Sequence, residues 1–255
     1  MTQTFNNVIF DVGANTGLDG LILAILNPNM FIYAFEPNNE INKISILNKS
    51  KLEKEFNIKI DNHEIIEIGV SNINGYADFF IGEHSGISSL LNYKEIDISL
   101  KKKITHKKKI KIPIIKLSKF IQNNNIKNIC YLHIDAEGSD MKVIEGLEDK
   151  IKNVYSGVIE APKNTELSIY KDGHSLNNVK EIFNKRNLKI EEIIEDDFRN
   201  VNIYFKNKKF EKNNFFTYPR TNYNIRYFKR ILENKKKIKD VFYKLFIKYW
   251  LIKFS

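Results

Sequence analysis

With Cys130 as its only cysteine, the 255-residue chain cannot close an intrachain disulfide, and that residue sits in the apolar run 129–134, which reads as a buried strand. No run of 18 apolar residues occurs, which excludes a membrane-spanning helix of ordinary length. The first apolar run stops at Asp11, with no basic segment and apolar core of the kind that directs secretion. These absences predict a cytoplasmic setting. The length accommodates one α/β domain of about 200 residues with an appendage, and leaves no room for a second catalytic domain. Acidic residues are nearly missing from the C-terminal end. Residues 206–255 hold 15 Lys and Arg against 3 Asp and Glu, so of the net charge of +10 the preceding 205 residues carry −2. Asn, Lys and Ile are used heavily throughout, as AT-rich codons produce, and isolated lysine runs therefore carry reduced weight.

What the chain does contain begins at once. Val8-Ile9-Phe10 leads into Asp11-Val-Gly-Ala-Asn-Thr-Gly17 and then into helically spaced apolar residues, a pattern that predicts a strand, a tight glycine turn and a helix. Gly13 and Gly17 let backbone N–H groups at a helix N-terminus approach a ligand, although both also suit an ordinary turn. Asn15 equally suits a helix cap. A dinucleotide fingerprint reads G-x-G-x-x-G and a phosphate loop ends in Gly-Lys-Ser/Thr, whereas this one is Asp-x-Gly-x-x-x-Gly with no lysine after it. A carboxylate at that strand end repels a pyrophosphate and attracts a cation. S-adenosylmethionine, with an ammonium and a sulfonium, is such a ligand. The second apolar run, Phe31–Phe35, ends in Glu36-Pro37, where doubly wound folds hold a ribose hydroxyl pair, or where an acid simply closes a strand.

Apolar runs of strand length then alternate with amphipathic stretches. The pattern predicts helices over 18–26 and 39–56, a third strand over 65–70, an extra hairpin strand over 77–81 and a short helix over 117–123. A strand over 129–134, a helix over 139–147 and a strand over 154–159 follow. A helix over 175–186 with Ser175 as its N-cap precedes a closing antiparallel pair over 188–194 and 201–205.

Six segments, in this order, resemble the FkbM-type family of S-adenosylmethionine-dependent methyltransferases: DVGANTG at 11–17, AFEPN at 34–38, SGISSL at 85–90, IPIIKL at 112–117, HIDAEGSDMKVIEGL at 133–147 and VIEAP at 158–162. The resemblance spans residues 8–206. It implies a Rossmann-like class I methyltransferase, an α/β fold with a seven-stranded, mostly parallel sheet and a C-terminal antiparallel hairpin, over a domain of residues 1–207. It also implies that Asp11, Gly13, Asn15 and Gly17 surround the methionine part of the cofactor, that Glu36 holds the ribose, and that the adenine lies near Glu67 and Ile68. The acceptor class it implies is a sugar or other small hydroxylated molecule in glycan or natural-product assembly. One departure is Ser71-Asn72, where the family usually has Ser-Asp.

A hydroxyl acceptor must lose a proton as it is methylated. Asp135 and Glu137, carboxylates at a strand end beside Gly138, are the candidate general bases. His133, two residues before Asp135 and on the same side of the strand, is a third candidate or a satisfied core histidine. Asp135, Glu137 and Glu160 also offer oxygen ligands to Mg²⁺, a divalent metal that the resemblance does not imply. Ser88, Ser89 and Glu160 are candidate acceptor contacts, against the plain alternative that 85–89 is a polar turn. Lys101–Lys103 and Lys107–Lys109, flanking His106, form either a basic flap for an anionic glycan or a solvated loop.

Residues 208–255 read as a separate basic, aromatic tail. Ile238, Val241, Phe242, Leu245, Phe246, Tyr249 and Ile252 recur at helical spacing opposite Lys237, Lys244 and Lys248. That stripe suits a helix lying on an anionic membrane surface, at the inner face of a membrane, or one docked on the domain or on a second copy. Lysines mixed with aromatics also suit nucleic acid, but no recognised nucleic-acid motif accompanies them.

Overall fold

The computed structural model describes residues 7–94 and 105–210. Lys101–Lys103, and nearly all of the tail with its amphipathic stripe and its membrane, docking and nucleic-acid readings, lie outside the described residues.

The apolar runs become strands and the amphipathic stretches helices. The chain passes through β1 (Asn7–Val12), α1 (Leu18–Leu26), β2 (Phe31–Phe35), α2 (Asn39–Phe56) and β3 (His63–Ile66). It then detours through β4 (Gly69–Val70), β5 (Gly75–Gly82) and β6 (His106–Ile115). Alternation resumes with α3 (Leu117–Asn123), β7 (Asn128–Ile134), α4 (Asp140–Gly146), β8 (Val154–Pro162), α5 (Leu176–Lys185), β9 (Leu188–Glu195) and β10 (Asn200–Asn207). Ser175 caps α5 as its sequence suggests, with its N–H donated to Asn178 Oδ1 at 2.9 Å.

Seven strands form one sheet in the order β3-β2-β1-β7-β8-β10-β9. The first five run parallel, and β10 enters antiparallel between β8 and β9, the closing pair that the sequence predicts. Strand order switches direction between β1 and β7, so the crevice beyond their carboxyl ends is where a ligand belongs in such a sheet. Alternation along β1 sends Val8, Phe10 and Val12 into a core shared with Leu117, Phe120 and Ile121 of α3, Val143 and Ile144 of α4, and Val179 and Phe183 of α5. Phe10 meets Tyr33, Phe35 and Phe120 edge-on at centroid distances of 6.0, 5.6 and 5.9 Å, each pair adding about 0.5–1.5 kcal/mol beyond the area it buries. Ile9 and Asp11 point to the other face, toward α1.

Two expectations need correction. The run 65–70 is not one strand. A tight turn, with Ile68 N–H donated to the Ile66 carbonyl at 2.8 Å, ends β3, and Gly69–Val70 joins a separate three-stranded sheet, β4-β6-β5. An apolar run records burial and not which sheet does the burying. The stretch around His106 is also no loop: Lys107–Lys109 begin β6, which pairs antiparallel with β5. These lysines are exposed, and Lys109 holds Asp78 at 2.7 Å, so three like residues in a row hid the period-two pattern.

Among the described residues no helix is long and apolar enough to cross a membrane.

Candidate active site

The loop from β1 to α1 is held by its own fold. Gly13 and Ala14 donate their N–H groups to the Phe35 carbonyl, both at 3.0 Å, and Gly17 donates to the Ala14 carbonyl at 2.8 Å. The backbone donors expected to face a ligand at Gly13 and Gly17 therefore serve the turn. What the glycines allow is close approach. A Cβ on Gly13, at φ +82°, would lie 1.8 Å from the Asp135 carbonyl oxygen, so only glycine lets the end of β1 press against the end of β7. Gly17 is the N-terminal residue of the α1 turn and packs on Ser45 of α2, away from the cavity.

A cavity opens at the carboxyl ends of β1, β2 and β7, and Gly13, Asn15, Glu36 and Ile68 line it together with Asp135 and Glu137. Glu36, 7% exposed, accepts the Asn15 N–H at 3.0 Å and the Asn38 N–H at 2.8 Å, one on each carboxylate oxygen. Burial pushes its carboxyl up to about 7, against the pull of those two amides and with the Asp11 charge adding to the rise. Each oxygen keeps acceptor capacity for a further hydroxyl. Asn15 Oδ1, Asp135 Oδ1 and Ser139 Oγ are buried in this wall without a hydrogen-bond partner. A polar ligand would satisfy them, and a purely apolar one would not.

A second cavity adjoins the first and shares Gly86, Asp135 and Glu137 with it; Glu160, Tyr170 and Arg199 lie on its far wall. Desolvation, more than anything else, raises the carboxyls of Asp135, Glu137 and Glu160; nearby carboxylates add to the rise, while the His133 charge opposes it at Asp135 and Arg199 opposes it at Glu137. The Asp135 charge, after desolvation, pushes the Glu160 carboxyl further up, so the two carboxyls bear on each other across this wall. Glu137 instead accepts the Tyr170 hydroxyl at 2.7 Å.

Other predicted residues lie elsewhere. Asp11 is fully buried beneath the cavity, and its Oδ1 pairs with His133 Nδ1 at 2.7 Å. Burial alone would lower the His133 imidazole, but the bond and charge of Asp11, with Asp19 and Asp135 behind it, raise it to about 9. His133 therefore donates to Asp11 as an imidazolium. Neither residue lines either cavity. Glu67 is exposed and takes the Asn39 amide at 3.2 Å, while its neighbour Ile68 faces the cavity. Ser88 reaches the cavity; Ser89 is 1% exposed and donates to the Glu137 carbonyl at 2.6 Å, beneath the wall. Asn72 donates to Glu145 Oε2 at 2.8 Å, a contact that the usual Asp would turn into repulsion. Among the described residues no group of three His, Cys, Asp or Glu side chains could hold a metal ion.

Sequence reasoning missed His63, Gly20, Tyr93, Ser139, Tyr170 and His174. A Cβ on Gly20 would lie 2.8 Å from Asp11 Oδ2 and 2.9 Å from His63 Nε2, so this helix glycine makes room for a buried polar unit. His63 is 7% exposed, and its imidazole is driven down to about 4 by that burial, against the Asp11 charge. His174 sits between the Gly138 and Glu160 carbonyls at 3.2 and 3.1 Å. For Tyr93, Tyr170 and His174 the only signal was a polar or aromatic residue in an otherwise unpatterned segment, whereas Gly20 and Ser139 lay inside segments whose pattern was read without showing what they touch.

A seven-stranded sheet in this order, closed by an antiparallel pair and carrying a glycine turn and an acid at the ends of its first two strands, is the class I methyltransferase fold. The model of the methyltransferase FkbM domain matches residues 11–186, and the chain belongs to that family. It is 26% identical over 158 residues to the 31-O-demethyl-FK506 methyltransferase FkbM of Streptomyces tacrolimicus, a match that covers 56% of this chain and 60% of that protein. Solved structures similar to it include methyltransferase FkbM from Methylobacillus flagellatus KT, at 13% identity and a TM-score of 0.47, covering 80% of this chain and 44% of that one. Another is M. capricolum TrmK in complex with S-adenosyl-homocysteine, at 17% identity and a TM-score of 0.44, covering 97% and 87%.

Proposed function

We propose that the chain transfers the methyl group of S-adenosylmethionine to a hydroxyl oxygen of a sugar or other small polyol, with Glu36 on the cofactor ribose and a carboxylate of the β7 end taking the acceptor proton. The observation that carries this reading is the pair of adjoining cavities that share Asp135 and Glu137. Glu36 lines the one proposed for the cofactor, Glu160 and Tyr170 the one proposed for the acceptor, and the two carboxylates belong to the wall they share. Asn15 and Ser139 supply unpartnered polar atoms to the cofactor side. The cofactor, when bound, supplies an activated methyl on sulfur. The protein's part is to align the acceptor with that methyl, exclude water and remove one proton. Aligned in this way, an acceptor hydroxyl would give its proton to the carboxylate as its oxygen took the methyl group, the electrons of the carbon–sulfur bond that breaks staying on sulfur.

The test is incubation of hydroxylated acceptors with the full chain and cofactor labelled in its methyl group, followed by mass spectrometry. Label on a carbinol oxygen is the expected result. Label on nitrogen overturns the acceptor class, and cofactor binding without any transfer makes the chain a binding module.

The Glu36 assignment predicts a pH dependence. Ribose hydroxyls donate best to an ionised carboxylate, so cofactor affinity should be greatest above pH 7 and should fall as pH drops through the Glu36 value of about 7. Glu36→Gln should weaken binding by about 1.5–3 kcal/mol at pH 8 and remove this pH step. Calorimetry at pH 6 and 8 that finds the same pH step in both proteins would take Glu36 off the ribose.

A further inference from the structure

We infer that Tyr170 is a positioning residue for Glu137, aiming its carboxylate so that Glu137, rather than Asp135 or His133, takes the acceptor's proton. This rests on the methyl-transfer reading above and goes beyond it by separating the three carboxylate and imidazole candidates. His133 is engaged with Asp11 and faces neither cavity. Asp135 keeps its Oδ1 buried without a hydrogen-bond partner, so nothing fixes the aim of that oxygen. Glu137 lines both cavities, and its partner is a neutral donor.

Glu137 occupies the left-handed backbone region at φ +49°, which a side chain bearing a Cβ adopts only at a cost, and the surroundings that hold it there come from three parts of the chain, around Ser89, Asp140 and Tyr170–His174. Ser89 Oγ donates to its carbonyl at 2.6 Å. The Asp140 carboxylate accepts the N–H groups of Ala136 and Gly138, on either side of it, at 2.8 and 3.0 Å. His174 Nδ1 lies 3.2 Å from the Gly138 carbonyl. Tyr170, 4% exposed, reaches over the turn to Glu137 Oε2 at 2.7 Å. Gly138 is what lets the tyrosine in: a Cβ there would lie 2.5 Å from Tyr170 Cδ2. Tyr170 is itself fixed by a bridge pairing with Tyr93 and by packing with Leu91 and Ile169.

The hydroxyl also lies 3.2 Å from the Ile87 carbonyl, but Glu137 Oε2 is the nearer acceptor at 2.7 Å. Burial, ahead of the Glu137 charge, pushes the Tyr170 hydroxyl well above its ordinary value, so it stays a donor. One Glu137 oxygen is thus held while the other is left for the acceptor. The groups that bear on its titration are Asp135, Asp140 and Glu160, which favour the protonated form, and Arg199 and the Tyr170 hydrogen bond, which favour the ionised one; Tyr93 lies close enough to feel its charge.

Removing the Tyr170 hydroxyl should therefore raise the Glu137 carboxyl and loosen its aim. In full-length protein labelled with 13C at glutamate carboxyls, the resonance lost in Glu137→Gln belongs to Glu137. Tyr170→Phe, which keeps the ring over Gly138, should move its titration midpoint upward by about one pH unit. With labelled cofactor and an acceptor, kcat should fall by about tenfold, its acid limb should move upward by a similar amount, and cofactor affinity should stay as in wild type. Tyr170→Phe should cause no further loss in a Glu137→Gln background. A midpoint that does not move, in a protein that melts as wild type does, overturns the inference. Should wild type transfer no methyl group at all, the functional reading fails while the titration still decides the Tyr170 to Glu137 contact. If Tyr170→Phe does not fold, Ser89→Ala frees the Glu137 carbonyl instead, and it must then lower kcat in wild type but not in Glu137→Gln.

Discussion

Glu137→Gln should lower turnover by about 10²–10⁴-fold while S-adenosylmethionine binds with near-native affinity, the loss expected when a general base is removed and shape is kept. The carboxyl of Glu137 is raised well above its ordinary value by desolvation first and by Asp135 second. The base must be ionised to accept a proton, so activity should be lost as pH falls through this raised value, well above the range in which an exposed glutamate titrates. Asp135→Asn should cost less, because the Tyr170 hydroxyl aims Glu137 and not Asp135. Single-turnover rates with labelled cofactor decide between them. A larger loss in Asp135→Asn than in Glu137→Gln would move the proton transfer to Asp135.

Asp11→Ala is expected to act on folding and not on the cofactor. It removes one partner of a buried ion pair and leaves His133 without its hydrogen-bonded counter-charge, a change that costs about 3–5 kcal/mol. The sign of the pH dependence follows from His133, which is raised from 6.5 to about 9 on folding. The stabilisation is fully present below about pH 6.5 and is lost as pH rises through about 9. The stability gap between wild type and Asp11→Asn should therefore be widest below pH 6.5 and narrow toward pH 9 and beyond. Urea denaturation across that range measures it. An Asp11→Ala protein as stable as wild type, but unable to bind S-adenosylmethionine, would return Asp11 to the cofactor role that its place in the DVGANTG segment suggests.

The sheet was legible because its signals are local. Val8–Phe10, Phe31–Phe35 and, apart from His133, Ile129–Ile134 are apolar, and each is followed by a glycine or an acid where the chain turns out of the sheet. The same locality explains the errors at 65–70 and 106–109. There the hydrophobic pattern was broken by a change of sheet or by a run of lysines, and strand partners lie dozens of residues away.

The sequence by itself determined that the chain is an α/β protein with a glycine turn at its first strand, acids at the ends of its strands and a basic tail, because periodicity, turn residues and charge can be read without knowing what touches what. Only the tertiary structure decided which of those acids are alike. Asp11 and Asp135 both close strands at the same edge of the sheet, yet strand alternation turns Asp11 under the sheet against His133, whereas the turn after β7 carries Asp135 and Glu137 into the cavities. Glu137 differs from Asp135 in turn because Tyr170 and Ser89, 33 and 48 residues distant in sequence, are packed beside it. Contacts over such separations depend on strand register and on how the connecting segments fold back across the strand ends, and a linear pattern of residue types carries neither.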